Sequence, residues 1–439
     1  MPATSQRYPS TVAILAGAFT PVERRNFTIN IVEGVLYLAG AALISGQTVL
    51  PALVSHLGGG NVAVGAVAVI LWVGVFLPQV FAARFVETLP WKKPWALTGG
   101  VVQRFCVLGM ALFILMFGKS DPALALAGVL VCLVFNQIAL GITTPGWFDM
   151  FAKVTPQARR GRVVGIRNSM AGAAAFVCGL MLTWVLANFE FPSSYAIVFF
   201  GAFGLQMSSI AVQSRIIEEE PSAVVAKRPI REYLGRLPQV FRQNEAFRQF
   251  IIMSAFLVVA SMPVGFFAVY ALKEFGGDDS VIGEFTLAMV AIQVVTSFLN
   301  GYIADHYGHK PALAIAAAGM LCASVWAMLA PSLAWFTLVY IFLGINLGSE
   351  LMLRYNMSIE YGPAEQRSTY VGLMNTVLAP FYISSLIGGW ISDWLGYHAV
   401  FALGALSSVG GIVFLLRRVV DPHSSRLQLA EESAAAIKT

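Results

Sequence analysis

Leu57-Gly-Gly-Gly-Asn-Val-Ala-Val-Gly65 recurs as Phe275-Gly-Gly-Asp-Asp-Ser-Val-Ile-Gly283, displaced by 218 positions. The same displacement carries Glu87 onto Asp305 and Lys92 onto Lys310. Further along, a displacement of 207 sets Pro156, Arg160, Gly165 and Asn168 on Pro363, Arg367, Gly372 and Asn375. Glycine clustered with Asn or Asp between apolar runs is turn punctuation. Punctuation that returns with its spacing in two separate loops marks an internal repeat. Parallel six-helix repeats of this kind place a solute cavity between the halves, near mid-membrane.

The composition excludes a soluble globule. Only 12% of the residues are charged and 57% are hydrophobic, against about 25% and about 45–50% in soluble domains. Charge-free runs such as Leu57–Ala83, Pro122–Phe148, Asn168–Phe189, Phe191–Ser214, Phe250–Leu272 and Ser368–Ser392 are long enough to cross a bilayer. Twelve spans are expected, at 27–50, 62–85, 94–117, 123–148, 164–188, 193–214, 247–271, 281–304, 310–330, 333–359, 368–391 and 398–417. The fold class is therefore all-α integral membrane, two pseudo-symmetric six-helix bundles at 27–214 and 246–418. Residues 1–26 form an N-terminal segment and 419–439 a tail. The connector 215–245 carries an amphipathic stripe of Ile230, Leu234, Leu237 and Phe241. Cys106, Cys132, Cys178 and Cys322 lie in apolar runs and read as small core residues. Arg24 and Arg25 follow the first apolar patch, so no cleaved signal peptide is expected.

If the N-terminus is cytoplasmic, nearly all of the 28 Lys and Arg lie on the cytoplasmic side, Lys119, Lys273 and Arg104 excepted. This is the positive-inside bias, and an even number of spans returns the tail to the same side. The expected setting is a bacterial inner (plasma) membrane, with both termini cytoplasmic and the chain a monomer.

Gly301-Tyr-Ile-Ala-Asp305-His-Tyr-Gly308-His-Lys310 resembles the loop signature of the major facilitator superfamily (MFS). Gly389-Trp-Ile-Ser-Asp393-Trp-Leu-Gly396 resembles that family's turn between its last two helices. The resemblance implies the twelve-helix MFS fold and secondary transport by alternating access. It also implies a cytoplasmic gating loop at Gly301, Asp305, Gly308 and Lys310. There the glycines let the chain turn, Asp305 can cap a helix and Lys310 anchors the loop. The first-half copy keeps Arg84, Glu87, Lys92 and Lys93 but has Ala83 and Pro90 in place of the glycines.

An ionisable group at mid-membrane costs about 2.5–3.5 kcal/mol on insertion scales, so each one needs a reason. Arg104 is the deepest isolated charge. Glu33 lies two turns into the first span, where a loop arginine such as Arg167 could pair with it. Glu350 and Arg354 are four apart and share a helix face. Gln47, Asn136, Gln137, Tyr270, Asn346 and Asn375 are uncharged polar groups that could line an amphipathic cavity. Helix-packing hydrogen bonds are the competing reading for these. Glu33 and Glu350 are candidate coupling acids and Arg104 is a candidate for charge recognition. With no Walker loop, clustered His/Cys set or Gly-x-Ser-x-Gly turn, neither an enzyme nor a nucleotide-driven pump is expected. No cofactor, metal or nucleic acid is implied. The expected partners are a small-molecule solute, protons and the lipid bilayer. An exporter or flippase of a hydrophobic, lipid-like or drug compound is the second reading, and a non-transporting sensor the third.

Overall fold

The structure, a computed structural model, describes residues 20–222, 241, 243–362 and 367–422. The connector stripe at Ile230, Leu234 and Leu237 lies outside the described residues, as does most of the terminal segment and tail.

Twelve helical segments are long and apolar enough to span a membrane. In the first half they are α1 (Pro21–Leu43), α2 (Asn61–Glu87), α3 (Lys93–Phe117), α4 (Pro122–Val154), α5 (Gln157–Asn188) and α6 (Ser193–Gln213). In the second they are α7 (Glu245–Phe275), α8 (Ser280–Tyr307), α9 (His309–Leu329), α10 (Leu333–Tyr361), α11 (Tyr370–Leu395) and α12 (Tyr397–Arg418). Side-chain caps start several of them. Thr20 and Glu23 form a reciprocal capping box at α1, Asp121 accepts from the Leu124 N–H, and Asn244 accepts from the Phe247 N–H. Such caps matter because the first N–H groups of a helix have no partner within it. The repeat's glycines earn their identity here: Gly58 and Gly276 have φ of +77° and +62°, backbone that side chains other than glycine's rarely adopt. Cys178 is buried as expected, but Cys322 is exposed on the outside of α9, where hydrocarbon can cover it.

Four spans are interrupted. α1 unwinds after Leu43 and resumes as a short helix, Val49–His56. α7 breaks at Ser261–Pro263 and α10 at Gly348–Ser349, while α11 passes through a 3₁₀ turn at Ala379–Ile383. Irregular backbone at membrane depth is tolerated only where protein or a water-filled cavity surrounds it, and two of these breaks face a cavity described below.

Within the first half α3 packs on α4 and α1 on α5 and α6; within the second, α9 packs on α10 and α12. The halves meet along two seams, α5 against α8 and α2 against α11. Contact is closest at the face bearing Gly58, Gly276 and Gly396, called here the far face. One apolar core there runs through both halves, including Leu53, Phe199, Phe267 and Tyr340. Polar ties reinforce it. Thr48 Oγ1 lies 2.6 Å from Thr286 Oγ1, and His56 Nε2 lies 2.6 Å from Asp279 Oδ1. Asn61 donates to Asp393 Oδ1 at 2.8 Å and accepts from the Tyr397 hydroxyl at 2.6 Å.

The opposite, terminal face bears the described chain ends, and among the described residues the halves share less core there. Its apolar clusters stay within one half, except that α2 lends Trp72, Val73, Val75 and Phe76 to the second half's cluster. Each half instead ties its own loops with one carboxylate. Glu218, just past α6, accepts from the backbone N–H of Lys92 and Lys93 at 3.1 and 3.0 Å and from Lys153 Nζ at 2.8 Å. Asp421, just past α12, accepts from the Lys310 N–H at 2.8 Å, while Lys310 Nζ donates to the carbonyls of Leu416 and Val419 at 3.0 Å. Lys92 and Lys310 are repeat mates, so the clamp is a two-fold feature even though the first-half loop lost its glycines. The carboxylate that receives the α9 amide is thus Asp421, and Asp305 faces the space between the halves.

Burial pushes the Glu218 carboxyl up, but the donors from Lys153, Lys92 and Lys93 outweigh it and hold it below its ordinary value. Its ionised form therefore stabilises the first half's terminal face at neutral pH. Glu218→Gln is expected to cost about 1–3 kcal/mol in thermal unfolding at pH 7, the usual range for a hydrogen-bonded charged group. A depressed carboxylate loses its contribution as pH falls through the folded value, so the difference from wild type should shrink below about pH 4.3. Equal stability at pH 7 would show that the clamp carries no load.

Candidate functional site

A cavity of about 700 Å³ lies between the halves, walled by α1 and α5 on one side and α8 and α10 on the other. It extends to Asp305 and His309 at the terminal face. Both broken helices present their unwound backbone to it: Ser45, Gly46 and Gln47 from α1, and Gly348 and Ser349 from α10. The breaks are held open by side chains. Ser45 Oγ and Gln47 bond each other across the α1 break at 3.2 and 3.3 Å. Ser297 Oγ donates to the Gly348 carbonyl, and Asn300 Nδ2 to Ser349 Oγ, both at 2.5 Å. Tyr355, Asn356, Gln293 and Asn168 add polar groups to an otherwise apolar wall. Discontinuous helices at the interface of two repeats are how transporter folds expose backbone groups to a solute.

A charged cluster sits behind the wall in each half. In the first, Arg167 Nη2 of α5 lies 3.8 Å from Glu33 Oε2 of α1, and the guanidinium lies over the Trp147 ring of α4, 4.6 Å from its centroid. Gly34 makes room for it: a Cβ there would come within 1.5 Å of Arg167 Nε. Ser209 Oγ of α6 donates to Glu33 Oε1 at 3.4 Å, while Glu33 Oε2 and Arg167 Nε are buried without a hydrogen-bond partner. Arg104 lies close enough to interact with the Glu33 charge, so one carboxylate answers two guanidiniums. In the second half, Arg354 Nε lies 2.8 Å from Glu350 Oε1, the first residue after the α10 break. A carboxylate in a helix's first turn also gains from the helix dipole.

Of the residues expected to form the pathway, Gln47 lines the cavity, as do Gly301 and Asp305 of the expected gating loop. Glu33 is paired to Arg167, and Glu350 to Arg354, one layer behind. Arg104 is 5% exposed and donates to the carbonyls of Gly100 and Gln206 and to Gln103 Oε1, with Tyr37 stacked at 4.8 Å. Asn136 bonds the Gln103 carbonyl, Gln137 bonds Asn136, and Asn346 bonds the Ala316 carbonyl, each a contact inside its own half. Tyr270 belongs to the far-face aromatic cluster with Phe336, Tyr397 and Phe401. Asn375 Nδ2 reaches the hydroxyl of cavity-lining Tyr355 at 3.5 Å. Gly308 has φ of +92° and, with Lys310, lies against Asp421. The two broken backbones are the parts of the site that no sequence pattern had singled out, whereas Arg167 stands beside Glu33, the partner the sequence reading offered it. A Ser-Gly-Gln step inside an apolar run was the available signal for the first break.

The model of the Major Facilitator Superfamily matches this chain over residues 38–379 and 250–439. The chain is 28% identical over 175 residues to the 4-hydroxybenzoate transporter PcaK of Acinetobacter baylyi, covering 38% of this chain and 36% of that one. It is 25% identical over 204 residues to the gallate transporter of Pseudomonas putida, 44% of each. The chain thus matches less than half the length of these curated relatives. The crystal structure of nucleoside transporter NupG (a D323A mutant) superposes with a TM-score of 0.68 at 10% identity, over 90% of this chain and 99% of that one. The chain belongs to the Major Facilitator Superfamily, a family of membrane transporters rather than enzymes.

Proposed function

We propose that this chain is an alternating-access secondary transporter of a small organic carboxylate, with an aromatic acid as the favoured solute. The observation that carries the reading is the cavity between the halves, closed by the far-face seams and walled by two unwound helices. We read the terminal face as cytoplasmic from the bias of the basic residues, and on that reading the state described faces inward. Halves 27–214 and 246–418 would rock about the cavity, joining at the terminal face as the far-face ties part. The aromatic acid follows from the two relatives, whose named solutes, 4-hydroxybenzoate and gallate, are carboxylates on a benzene ring.

Proton coupling is part of the same proposal, and Glu33 carries it. A solute carboxylate that reaches Arg167 competes with Glu33 for one guanidinium. The displaced Glu33 is then a buried carboxylate that has lost its paired guanidinium and keeps only the influence of Arg104, a state that binds a proton more readily. Return of Arg167 to Glu33 expels both solute and proton, so the two travel together.

The test is flux in proteoliposomes. Vesicles loaded with unlabelled 4-hydroxybenzoate should take up the labelled acid by counterflow, and an inward proton gradient should drive its accumulation. Uptake no faster than in protein-free vesicles for 4-hydroxybenzoate, gallate and benzoate alike would sink the reading.

A further inference from the structure

Glu33 faces two arginines that are held in different ways. Both guanidiniums lie over an aromatic ring, Arg104 over Tyr37 at 4.8 Å and Arg167 over Trp147 at 4.6 Å. Arg104 is also tied by hydrogen bonds to the carbonyls of Gly100 and Gln206 and to Gln103 Oε1. Among the described residues Arg167 has no such tie. Its Nη2 stops 3.8 Å from Glu33 Oε2, beyond hydrogen-bond range, and its Nε is buried without a hydrogen-bond partner. The indole face is therefore its principal hold. Trp147 is itself fixed, stacked on Phe151 one turn along α4, with centroids 5.4 Å apart and planes 12° from parallel. The same side chain stands within reach of the Glu33 carboxyl. The second half is built otherwise: the displacement of 207 sets Trp147 on Arg354, which lies 2.8 Å from Glu350 on its own helix.

A ring face attracts a cation through its quadrupole, without directional bonds. Arg167 can leave it without stranding buried hydrogen-bond partners, a loss that costs the full desolvation of each group. Leaving is what the transport cycle asks of this residue, since the solute carboxylate must draw Arg167 from Glu33. Asn168, next along α5, already lines the cavity. We infer that Trp147 is a positioning residue of the transport cycle: its indole face parks the Arg167 guanidinium beside Glu33 and sets how readily a solute carboxylate draws it away. The ring acts through Arg167 and makes no contact with the solute. Its hold opposes solute binding, and it pulls the guanidinium back when solute leaves. The inference rests on the transporter reading above and adds the residue that sets the balance between the two positions of Arg167.

The test measures benzoate affinity by titration calorimetry on the full chain in lipid nanodiscs, with counterflow in proteoliposomes beside it. Trp147→Leu removes the ring and, unlike a methyl at Gly34, leaves the guanidinium its own room. It should bind benzoate about 2- to 30-fold more tightly, the scale of a cation–π contact converted to affinity. Counterflow should then show a lower KM and a lower maximal rate, because release slows. Trp147→Phe keeps a ring face and should fall between. Fluorinated tryptophans placed at position 147 alone keep the shape of the side chain and weaken its face stepwise, so affinity should rise with each added fluorine. That series decides, because a damaged fold weakens a site and does not tighten it. Affinity that stays flat or falls along the series, or no benzoate binding by wild type, would overturn the inference. Counterflow separates it from the reading beneath it. A rising series without any wild-type counterflow removes the transport reading and leaves the hold of Trp147 on Arg167 standing. Wild-type counterflow with a flat series keeps transport and removes the role of Trp147.

Discussion

Gly65→Val and Gly283→Val are each expected to spring the far-face seams and raise access from that side by roughly 5- to 150-fold. The two glycines close the repeated stretches of α2 and α8, and both lie where the halves approach most closely. A Cβ at Gly65 would meet the Ser385 carbonyl oxygen of α11 at 2.2 Å; at Gly283 it would meet the Thr183 backbone nitrogen of α5 at 2.5 Å. Backbone cannot rotate aside as a side chain can, so the helices must part by roughly 1 Å to restore ordinary contact. Overpacking of this kind costs about 1–3 kcal/mol, and a cost confined to one of two states shifts their ratio by roughly 5- to 150-fold. The readout is the labelling rate of Thr48→Cys, at a position fully buried in the cross-half contact, by a water-soluble maleimide with the four native cysteines replaced. Gly204→Val is the control, since nothing lies within 4 Å of a Cβ there. Unchanged labelling in both seam variants would mean that the seams do not hold the far face shut.

Glu33→Gln is expected to abolish proton-driven accumulation, a loss of at least about 100-fold, typical of removing a proton-transfer group. Counterflow should persist, because exchange of solute for solute needs no net proton movement. Gly34→Ala separates the proton role from that of Arg167. The new methyl displaces the guanidinium from its place over Trp147 and leaves the carboxylate in position. The far end of a flexible side chain can move at little cost to the fold, so Gly34→Ala should express normally and lose both counterflow and accumulation. Normal accumulation by Glu33→Gln would remove Glu33 from the coupling step. If Glu350→Gln alone then fails, the second pair is the coupling site.

The fold was legible because a bilayer leaves little choice. Segments of about 20 apolar residues between polar turns can only be helices, since only helices and closed barrels satisfy the backbone in hydrocarbon. The repeat was legible in loops such as Gly58 and Gly276, where a positive φ demands glycine in both halves. It carried more than turn chemistry, since Gly65 and Gly283 at the ends of the same stretches are the seam contacts. Glu350–Arg354 was legible because both residues ride one helix at a spacing of four. Arg167 was harder to place. Its span was expected from 164 onward, near whose start the arginine reads as a loop residue; the helix begins at Gln157, so the arginine lies well inside it and folds back over Gly34. The breaks at Ser45–Gln47 and Gly348–Ser349 carry no proline; the Gln47 N–H donates to Ser45 Oγ in the first, and Ser297 Oγ of α8 donates to the Gly348 carbonyl in the second. Glu218 and Asp421 bind backbone amides 126 and 111 residues away, a relation that local pattern does not encode.

The central claim is that one face of the two halves closes as the other opens around the cavity. Pulsed electron spin resonance on two label pairs in nanodiscs tests it directly. Gly60→Cys with Asp278→Cys reports the far face, and Gly161→Cys with Tyr302→Cys the terminal face. All four positions are exposed. Adding 4-hydroxybenzoate at low pH should lengthen one distance and shorten the other in the same sample, with the far-face pair shortest when the terminal-face pair is longest. Two distances that stay fixed, or that grow and shrink together, would contradict the account.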